Sequence, residues 1–265
     1  MNYLIDVNGV LYSGEKVVEG AVETVDFLRE RKNNFRFISN ATQRCKKSLL
    51  EKLSGFGFHI NEKEIFTAPD AAIKYIKNSG KKRIFLLTTG DVHNDFLKEG
   101  FVIDEKDVDF VVVGDAGKDF TFENMNKAFR AILDGAGIIA MEKDRYWLSD
   151  DSKLTLTAGP FVSALEYASN KSAILVGKPG RDFFNLALND MNAKPDRTYI
   201  VGDDIFTDIL GGKKAGMKTI LVETGEYTEG VLKSSKIKPD IIIKSIAKLQ
   251  GMENFCRACL DYKFL

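Results

Sequence analysis

The chain has 265 residues, of which 44% are hydrophobic and 29% are charged. This composition is ordinary for a globular protein, and the length suffices for one or two domains with a well-buried core. The 38 basic residues balance the 38 acidic ones, so no overall field attracts a nucleic acid or an acidic membrane. We therefore expect function from a local site, without nucleic-acid or membrane partners.

The compartment is predicted from the N-terminus and the cysteines. The chain begins without a basic stretch and has a carboxylate already at Asp6, which disfavours a secretory signal. Three cysteines are too few for a disulfide framework, and we interpret the lone pair Cys256 and Cys259 as thiols on a helix because zinc needs four ligands. No apolar run approaches the ~18 residues of a transmembrane helix. These features predict a cytoplasmic protein.

Short β-rich apolar runs alternate along the chain with segments of helical periodicity, which is typical of βα units around a mainly parallel sheet. The sequence therefore predicts an α/β fold with a parallel-sheet core. The predicted strands are 3–7, 35–39, 83–87, 110–113, 137–140, 173–176, 198–201, 219–222 and 240–243. Apolar faces predict helices around 21–28, 49–53, 71–76 and 125–132. Gly216 is expected to end a further helix in the left-handed conformation.

Four polar clusters follow directly after predicted strands, where ligands bind in an open parallel sheet. They are Asp6-Val7-Asn8-Gly9, Ser39-Asn40, Lys178-Pro179 and Gly202-Asp203-Asp204, the last with Asp208 close behind. Each has a simpler interpretation when taken alone: a hairpin turn, a helix cap, a solvated lysine and a turn, respectively. Together they supply a nucleophilic carboxylate, hydrogen-bond donors, a cation and a carboxylate cluster. Those are the parts needed for metal-assisted phosphoryl transfer.

The carboxylates are assigned to attack and to metal binding. Asp6 can attack phosphorus only if Mg²⁺ and a cation neutralise the phosphoryl oxygens. We predict that Asp203 holds the magnesium together with Asp6, since Mg²⁺ prefers oxygen ligands. Asp204 and Asp208 are further candidates, because three carboxylates within six residues repel one another unless a cation lies among them.

The other polar residues are assigned to the phosphoryl group. Lys178 is predicted to bridge Asp6 and the phosphoryl oxygens as a point charge, while Ser39 and Asn40 donate hydrogen bonds. Gly9 permits a tight turn that presents backbone amides to the anion. The sequence thus predicts a catalytic set of Asp6, Asn8 and Lys178.

In order and spacing these motifs resemble the four motifs of the haloacid dehalogenase (HAD) superfamily of aspartyl-phosphate phosphatases, over essentially the whole chain. The long insert between the second and third motifs resembles the α/β cap of the NagD-like subfamily IIA, which holds N-acetylglucosamine-6-phosphate and p-nitrophenyl phosphatases. Three runs, 157–167, 176–179 and 224–227, resemble one branch of this subfamily. That branch contains phospholysine phosphohistidine inorganic pyrophosphate phosphatase and HAD-like hydrolase domain-containing 2.

The resemblance carries further expectations. It implies a hydrolase core at 1–79 and 174–265 and an α/β cap at 80–173. It also implies Mg²⁺ held by Asp6, the main-chain carbonyl of Asn8 and Asp203, with Val7 among the residues that bind the phosphorylated substrate. Dimerisation through the cap is a further expectation from relatives.

The expected cap has its own predicted substrate contact. Gly159 permits a bend and Pro160 can begin a helix, so the turn from Thr157 to Pro160 is suited to a rigid position. We predict that Thr157 contacts the substrate and that closure of the cap sets specificity. Trp147 is expected in the core of the cap; the alternative is that it shields the site.

Asn8 departs from the family pattern, which places a second aspartate two residues after the nucleophile as general acid and base. An amide cannot donate that proton, so activity on alkyl phosphates is expected to be weak. The sequence predicts a phosphatase that favours good leaving groups, such as aryl phosphates, phosphoamidates and pyrophosphate. The alternative is a catalytically impaired family member that binds a phosphorylated ligand or partner.

Overall fold

The structure is a computed structural model that describes residues 1–148 and 153–252; Cys256 and Cys259 lie outside the described residues. It confirms the α/β fold, since two parallel sheets carry helices between their strands. The strands are β1 (Asn2–Asp6), β2 (Tyr12–Ser13), β3 (Lys16–Val17), β4 (Asn34–Ser39), β5 (Ile65–Thr67), β6 (Arg83–Leu87), β7 (Val102–Ile103), β8 (Phe110–Val113), β9 (Gly137–Ala140), β10 (Tyr146–Leu148), β11 (Leu154–Leu156), β12 (Ile174–Leu175), β13 (Thr198–Gly202), β14 (Lys218–Val222) and β15 (Ile241–Ile243). The helices are α1 (Ala21–Glu30), α2 (Lys46–Gly55), α3 (Ala68–Asn78), α4 (His93–Lys98), α5 (Phe122–Leu133), α6 (Ala158–Ser169), α7 (Arg181–Asp190), α8 (Leu210–Lys214) and α9 (Glu229–Ser234).

Contacts divide the chain into two compact units. Unit 1 comprises residues 1–39, 52–65 and 184–265, and unit 2 comprises residues 40–51 and 66–183. This division is drawn from contacts and differs from the domain bounds that the resemblance implies at 79/80 and 173/174. Those bounds stay a prediction.

Unit 1 is built around β1. The sheet has the order β15-β14-β13-β1-β4, with β5 next to β4 where the chain passes from unit 1 to unit 2. Both neighbours of β1 run parallel to it, with Ile5 opposite Val201 of β13 and Asp6 opposite Ile38 of β4. Leu4 and Ile5 are fully buried, as expected for a central strand covered on both faces. The carboxyl ends of β1, β4 and β13 therefore lie side by side.

Unit 2 contains a second parallel sheet, of order β12-β9-β8-β6-β7. Its apolar face packs against α5 and α6 in a core of Val111, Ala128, Ile138, Val162 and neighbouring side chains. The short strand β12 pairs with β9 through Ile174 and Ile139. As a result, the chain that follows β12 begins beside the end of β9.

The structure contains a strand at each of the nine positions predicted from the sequence. The pattern did not indicate the two- or three-residue strands β2, β3, β5, β7, β10 and β11, because so few residues show no alternation. The expectation for Trp147 is wrong: its side chain is 46% exposed. Trp147 lies in β10, which pairs only with β11 among the described residues, in a two-stranded ribbon with an exposed face.

Among the residues that the structure describes, no helix has both the length and the apolar character needed to cross a membrane.

The end of α8 generates a stability prediction. Gly216 has φ +78°, as expected for the residue after this helix, and its amide donates to the Lys213 carbonyl. A side chain in this conformation costs about 1–2 kcal/mol, so Gly216→Ala should lower the free energy of unfolding by about 1 kcal/mol. Gly230 lies within α9 with open space around it, so Gly230→Ala should instead raise stability slightly.

The measurement is urea denaturation of both variants, followed by circular dichroism. Gly216→Asn is the matched control, because asparagine tolerates positive φ better than alanine does. Equal losses for alanine and asparagine at position 216 would contradict the backbone explanation.

Candidate active site

Three buried carboxylates lie together in unit 1. Asp6 ends β1, Asp203 follows β13, and Asp208 lies in the π-helical turn Ile205–Ile209. One oxygen of each lies within 4.8 Å of the others, and the three residues are 6%, 3% and 0% exposed. The parallel pairing of β1 with β13 produces this arrangement, because it places the ends of both strands at one edge of the sheet.

The donor chemistry of this cluster fits a hard divalent cation. Three carboxylates buried this close together repel one another strongly unless a positive charge lies among them. Carboxylate oxygens are the ligands that Mg²⁺ prefers, and Mg²⁺ is usually bound by one or two of them together with water and substrate oxygens. Asp6, Asp203 and Asp208 thus form a suitable metal site.

Asp204 has a different position from its neighbours. Its Oδ1 accepts a hydrogen bond of 2.6 Å from the amide of Phe206 and so caps the π-helical turn. It is not one of the three clustered carboxylates. Asp208 is brought close by Gly202, where a Cβ would lie 2.3 Å from the Asp208 Cγ. The turn therefore places Asp208 close to Asp203, and Asp204 caps the N-terminal end of the turn.

Two glycines enclose the Asp203 carboxylate. A Cβ on Gly9 or on Gly225 would lie 2.0 Å from Asp203 Oδ2, and both glycines have positive φ, at +79° and +64°. The amide of Glu226 donates to the same oxygen at 2.7 Å. Thr224 donates through its hydroxyl to the Gly9 carbonyl at 2.5 Å. These contacts fix the orientation of Asp203 from two loops.

The loop 224–226 is a part of the site that residue-level reasoning did not identify. The run Thr224-Gly225-Glu226-Tyr227 contributed to the family resemblance but received no role. Its signal is positional, because it directly follows β14, the neighbour of β13 in the sheet. Tyr227 packs against Ile205, Ile209 and Leu221, which anchors the loop on the apolar core.

The turn after β1 is not a hairpin between β1 and β2. Both partners of β1 are parallel strands, whereas the Gly9 amide donates to the Tyr12 carbonyl at 2.6 Å and the Leu11 amide to that of Val7 at 2.9 Å. The simple interpretation of Asn8-Gly9 as a type I′ hairpin turn is therefore wrong. Val7 is fully buried and Asn8 is exposed.

Asn40 and Lys178 belong to unit 2 and are joined by two hydrogen bonds. The Lys178 amide donates to Asn40 Oδ1 at 2.8 Å, and Asn40 Nδ2 donates to the Lys178 carbonyl at 3.1 Å. Lys178 is 4% exposed and so is no solvated lysine. Ser39 is buried at the end of β4 in unit 1, and α2 begins only at Lys46. The pair Ser39 and Asn40 therefore does not cap that helix.

Thr157 is buried at the start of α6 in unit 2 and hydrogen-bonds to Glu142. The helix begins at Ala158, so Gly159 and Pro160 lie within its first turn and the expected start at Pro160 is wrong. Glycine is needed at position 159 because a Cβ there would lie 2.3 Å from the Asp144 carbonyl oxygen. The Gly159 amide donates to that carbonyl at 3.1 Å. Thr157 is thus the N-cap of α6, and the hydrogen bond between Gly159 and Asp144 fixes the first turn of that helix.

Comparison with known proteins identifies the family. A family model described as haloacid dehalogenase-like hydrolase matches residues 3–102, and a model described as HAD-hydrolase-like matches residues 175–249. A Xenopus laevis phospholysine phosphohistidine inorganic pyrophosphate phosphatase is 36% identical over 251 residues, covering 92% of this chain and 91% of the relative. The chain belongs to the haloacid dehalogenase-like hydrolases.

Further matches confirm the resemblance to the NagD-like subfamily and its phosphatases. The Mus musculus haloacid dehalogenase-like hydrolase domain-containing protein 2 is 40% identical over 224 residues, with 84% of each chain covered. The solved structure of a p-nitrophenyl phosphatase from Archaeoglobus fulgidus superposes with a TM-score of 0.89 at 29% identity, covering 95% of this chain and 98% of the other. This HAD hydrolase is thus an enzyme of the phosphatase type.

The carboxylate cluster generates a metal-binding prediction. Mg²⁺ that binds only the folded cluster stabilises it by mass action, so a concentration about 100-fold above Kd should raise the thermal midpoint by about 5–10 °C. Asp203→Asn should remove most of this shift, because it removes one charged ligand. Asp204→Asn is the matched control and should keep the shift, since Asp204 lies outside the cluster.

The measurement is a thermal unfolding series over Mg²⁺ concentrations for the unmodified protein and both variants. An undiminished shift in Asp203→Asn would place the bound ion elsewhere.

Proposed function

We propose that this HAD hydrolase is a Mg²⁺-dependent phosphatase that acts on small phosphorylated molecules through an aspartyl-phosphate intermediate. The observation that supports it best is the buried cluster of Asp6, Asp203 and Asp208 at the end of the central strand. Burying three carboxylates together costs free energy of folding unless a positive charge compensates them. A side chain in place of either glycine beside Asp203 would overlap its carboxylate. The geometry of the carboxylate cluster suits an anionic phosphorylated ligand that binds together with a metal ion.

Asp6 is the proposed nucleophile. One of its carboxylate oxygens forms a bond to phosphorus, and the bond from phosphorus to the leaving group breaks, with the electron pair passing to the leaving group. Water then hydrolyses the acyl phosphate, which restores the Asp6 carboxylate and releases inorganic phosphate. Burial between β4 and β13 holds the Asp6 backbone rigid for this attack.

The proposed metal ligands are Asp6, Asp203 and Asp208, with the Asn8 carbonyl as the family resemblance implies. Mg²⁺ bound there would supply positive charge that neutralises the phosphoryl oxygens. Asp203 is the best-oriented ligand, since the Glu226 amide and the two flanking glycines fix its carboxylate. Asp204 is proposed only to support this set from the cap position of the turn.

Four further residues are proposed to contact the substrate: Lys178, Ser39, Asn40 and Thr157. Lys178 is buried, and a lysine ammonium group can neutralise phosphoryl oxygens as a point charge. The two hydrogen bonds between Asn40 and the Lys178 backbone fix the position from which the lysine extends. We assign Lys178 to neutralisation of the phosphoryl charge and Thr157 to recognition of the leaving group. Hydrogen bonding to the phosphoryl oxygens is assigned to Ser39, Asn40, Val7 and Gly9.

Asn8 sets the preferred substrates in this proposal. Without a general acid at that position, leaving groups that need no protonation, or that arrive with a proton, are favoured. These are aryl phosphates, phosphoamidates and pyrophosphate. The Xenopus relative, whose name lists phospholysine, phosphohistidine and pyrophosphate, supports this choice of substrate class.

The role of Asp6 is tested by Asp6→Asn. This variant should lose turnover of p-nitrophenyl phosphate by at least about 10³-fold, because an amide is no nucleophile toward phosphorus. Asp26→Asn is the matched control, since Asp26 is a half-buried aspartate of α1 that pairs with Arg29. The control should keep full activity. Retention of most activity in folded Asp6→Asn would exclude the covalent mechanism.

The role of Asn8 is tested by Asn8→Asp, which restores an acid. Because a positioned general acid is worth about 10²–10⁴-fold and most for poor leaving groups, the variant should gain about 10²-fold on an alkyl phosphate and far less on p-nitrophenyl phosphate. Asn8→Ala serves as the control that removes the amide without adding an acid. Equal gains on both substrates would show that the acid repairs hydrolysis of the intermediate instead.

A further inference from the structure

A buried glutamate in unit 2 joins the segment that carries Asn40. Glu142 follows β9 and is 8% exposed. Its Oε1 accepts a hydrogen bond of 2.8 Å from the hydroxyl of Thr42. Thr42, itself 2% exposed, accepts a hydrogen bond of 2.8 Å from the Asp115 amide. The hydroxyl of Thr42 is therefore oriented with its hydrogen toward the glutamate.

The same end of β9 also contacts the chain that leads to Lys178. The Val176 amide donates to the Ala140 carbonyl at 2.9 Å. A Cβ on Gly177 would lie 1.9 Å from the Met141 carbonyl oxygen and 2.8 Å from Asn40 Oδ1. Both halves of the hydrogen-bonded pair of Asn40 and Lys178 are thus held by residues 140–142, one through backbone contacts and the other through the Glu142 side chain.

We infer that Glu142 is a positioning residue for the phosphate-binding pair, which it holds through Thr42. The inference rests on the proposed function, in which Asn40 and Lys178 bind the phosphoryl group. The side chain at position 142 acts as a hydrogen-bond acceptor, since it accepts from Thr42 and from Thr157. The resulting link fixes residues 40–42 against β9 and joins them to the start of α6.

The energetic cost of this arrangement supports a role beyond packing. Burial, together with the charges of Asp144 and Asp115, raises the pKa of Glu142 to about 7, although the Thr42 and Thr157 hydrogen bonds oppose that rise. An apolar side chain would fill the same volume without burying an ionisable group. What it would not provide is an acceptor for the Thr42 hydroxyl.

The first experiment compares Glu142→Ala with Glu142→Gln. Glu142→Ala should lower kcat on p-nitrophenyl phosphate and on pyrophosphate by the same factor, about 10- to 100-fold, because small displacements of binding groups cost that much. Glu142→Gln should lose no more than about fivefold, since its amide oxygen still accepts the Thr42 hydroxyl. A glutamine as impaired as the alanine would overturn the inference.

Glu166→Ala is the matched control in the same unit. Glu166 lies in α6, pairs with Lys143 at 2.8 Å and accepts from the Ala173 amide at 2.8 Å. Its loss should lower the thermal midpoint of the protein but leave kcat unchanged. A kcat loss in Glu166→Ala as large as that in Glu142→Ala would show a general effect of destabilising unit 2, and would overturn the inference.

A double-mutant cycle with Thr42 tests the proposed connection. Thr42→Val removes the hydroxyl at nearly the same volume, whereas Thr42→Ser keeps it and should retain activity. Because both residues act through one hydrogen bond, the Glu142→Ala and Thr42→Val double variant should be about as impaired as the worse single variant. Fully additive losses would overturn the connection.

Binding of inorganic phosphate separates this inference from the proposed function. With Mg²⁺ present, titration calorimetry should show phosphate affinity about tenfold weaker in Glu142→Ala than in the unmodified protein or Glu166→Ala. If the unmodified protein binds phosphate but hydrolyses no substrate, the proposed function fails while this difference still supports the inference. Equal phosphate affinities, or no phosphate binding at all, would overturn it.

Discussion

Electrostatic repulsion among Asp6, Asp203 and Asp208 is the constraint on which unit 1 depends. Three carboxylates at 6% exposure or less would separate if the backbone allowed it. The backbone does not allow it, because β1 and β13 are adjacent central strands and the π-helical turn directs Asp208 back toward them. The sheet thus keeps the three carboxylates together in a buried cluster whose oxygen donors suit a divalent cation.

Unit 2 contains the complementary kind of buried charge. Lys178 is a cation with almost no exposure, and the residues around its backbone, Asn40 and Gly177, are fixed by the end of β9. Glu142 adds a buried acid that accepts hydrogen bonds from Thr42 and Thr157. Each unit therefore holds polar groups whose burial is unfavourable in isolation, as is common where proteins keep residues for chemistry rather than stability.

Much of this arrangement could be predicted from the sequence, because strands of four to six residues with polar residues behind them are visible as local patterns. The clusters at Asp6, Asn40, Lys178 and Asp203 were all found in this way. The carboxylate cluster itself depends on which strands are neighbours, and the sequence cannot separate Asp208 from Asp204 because it does not give the direction of the turn. Their spacing alone treats the two as equivalent.

Other features had no local signal. Glu142 is one glutamate among many in the sequence, and its burial follows from contacts with residues 100 positions away. Trp147 looked like a core residue because tryptophan is usually well buried; its exposure follows from a ribbon whose other face has no described partner. A sequence pattern shows the hydrophobic periodicity of a helix or strand. The burial of Glu142 and the exposure of Trp147 depend instead on which other segments pack against the element that carries them.

The glycines around Asp203 also constrain how the protein can evolve. Any single-base change that alters a glycine codon to another amino acid adds a Cβ, and at Gly9 or Gly225 that atom would overlap the carboxylate. No missense route through these two codons preserves the geometry, whereas Gly55 has no positive φ and has open space where a side chain would extend. The orientation of the Asp203 carboxylate therefore depends on glycine at positions 9 and 225, because any side chain there would displace it.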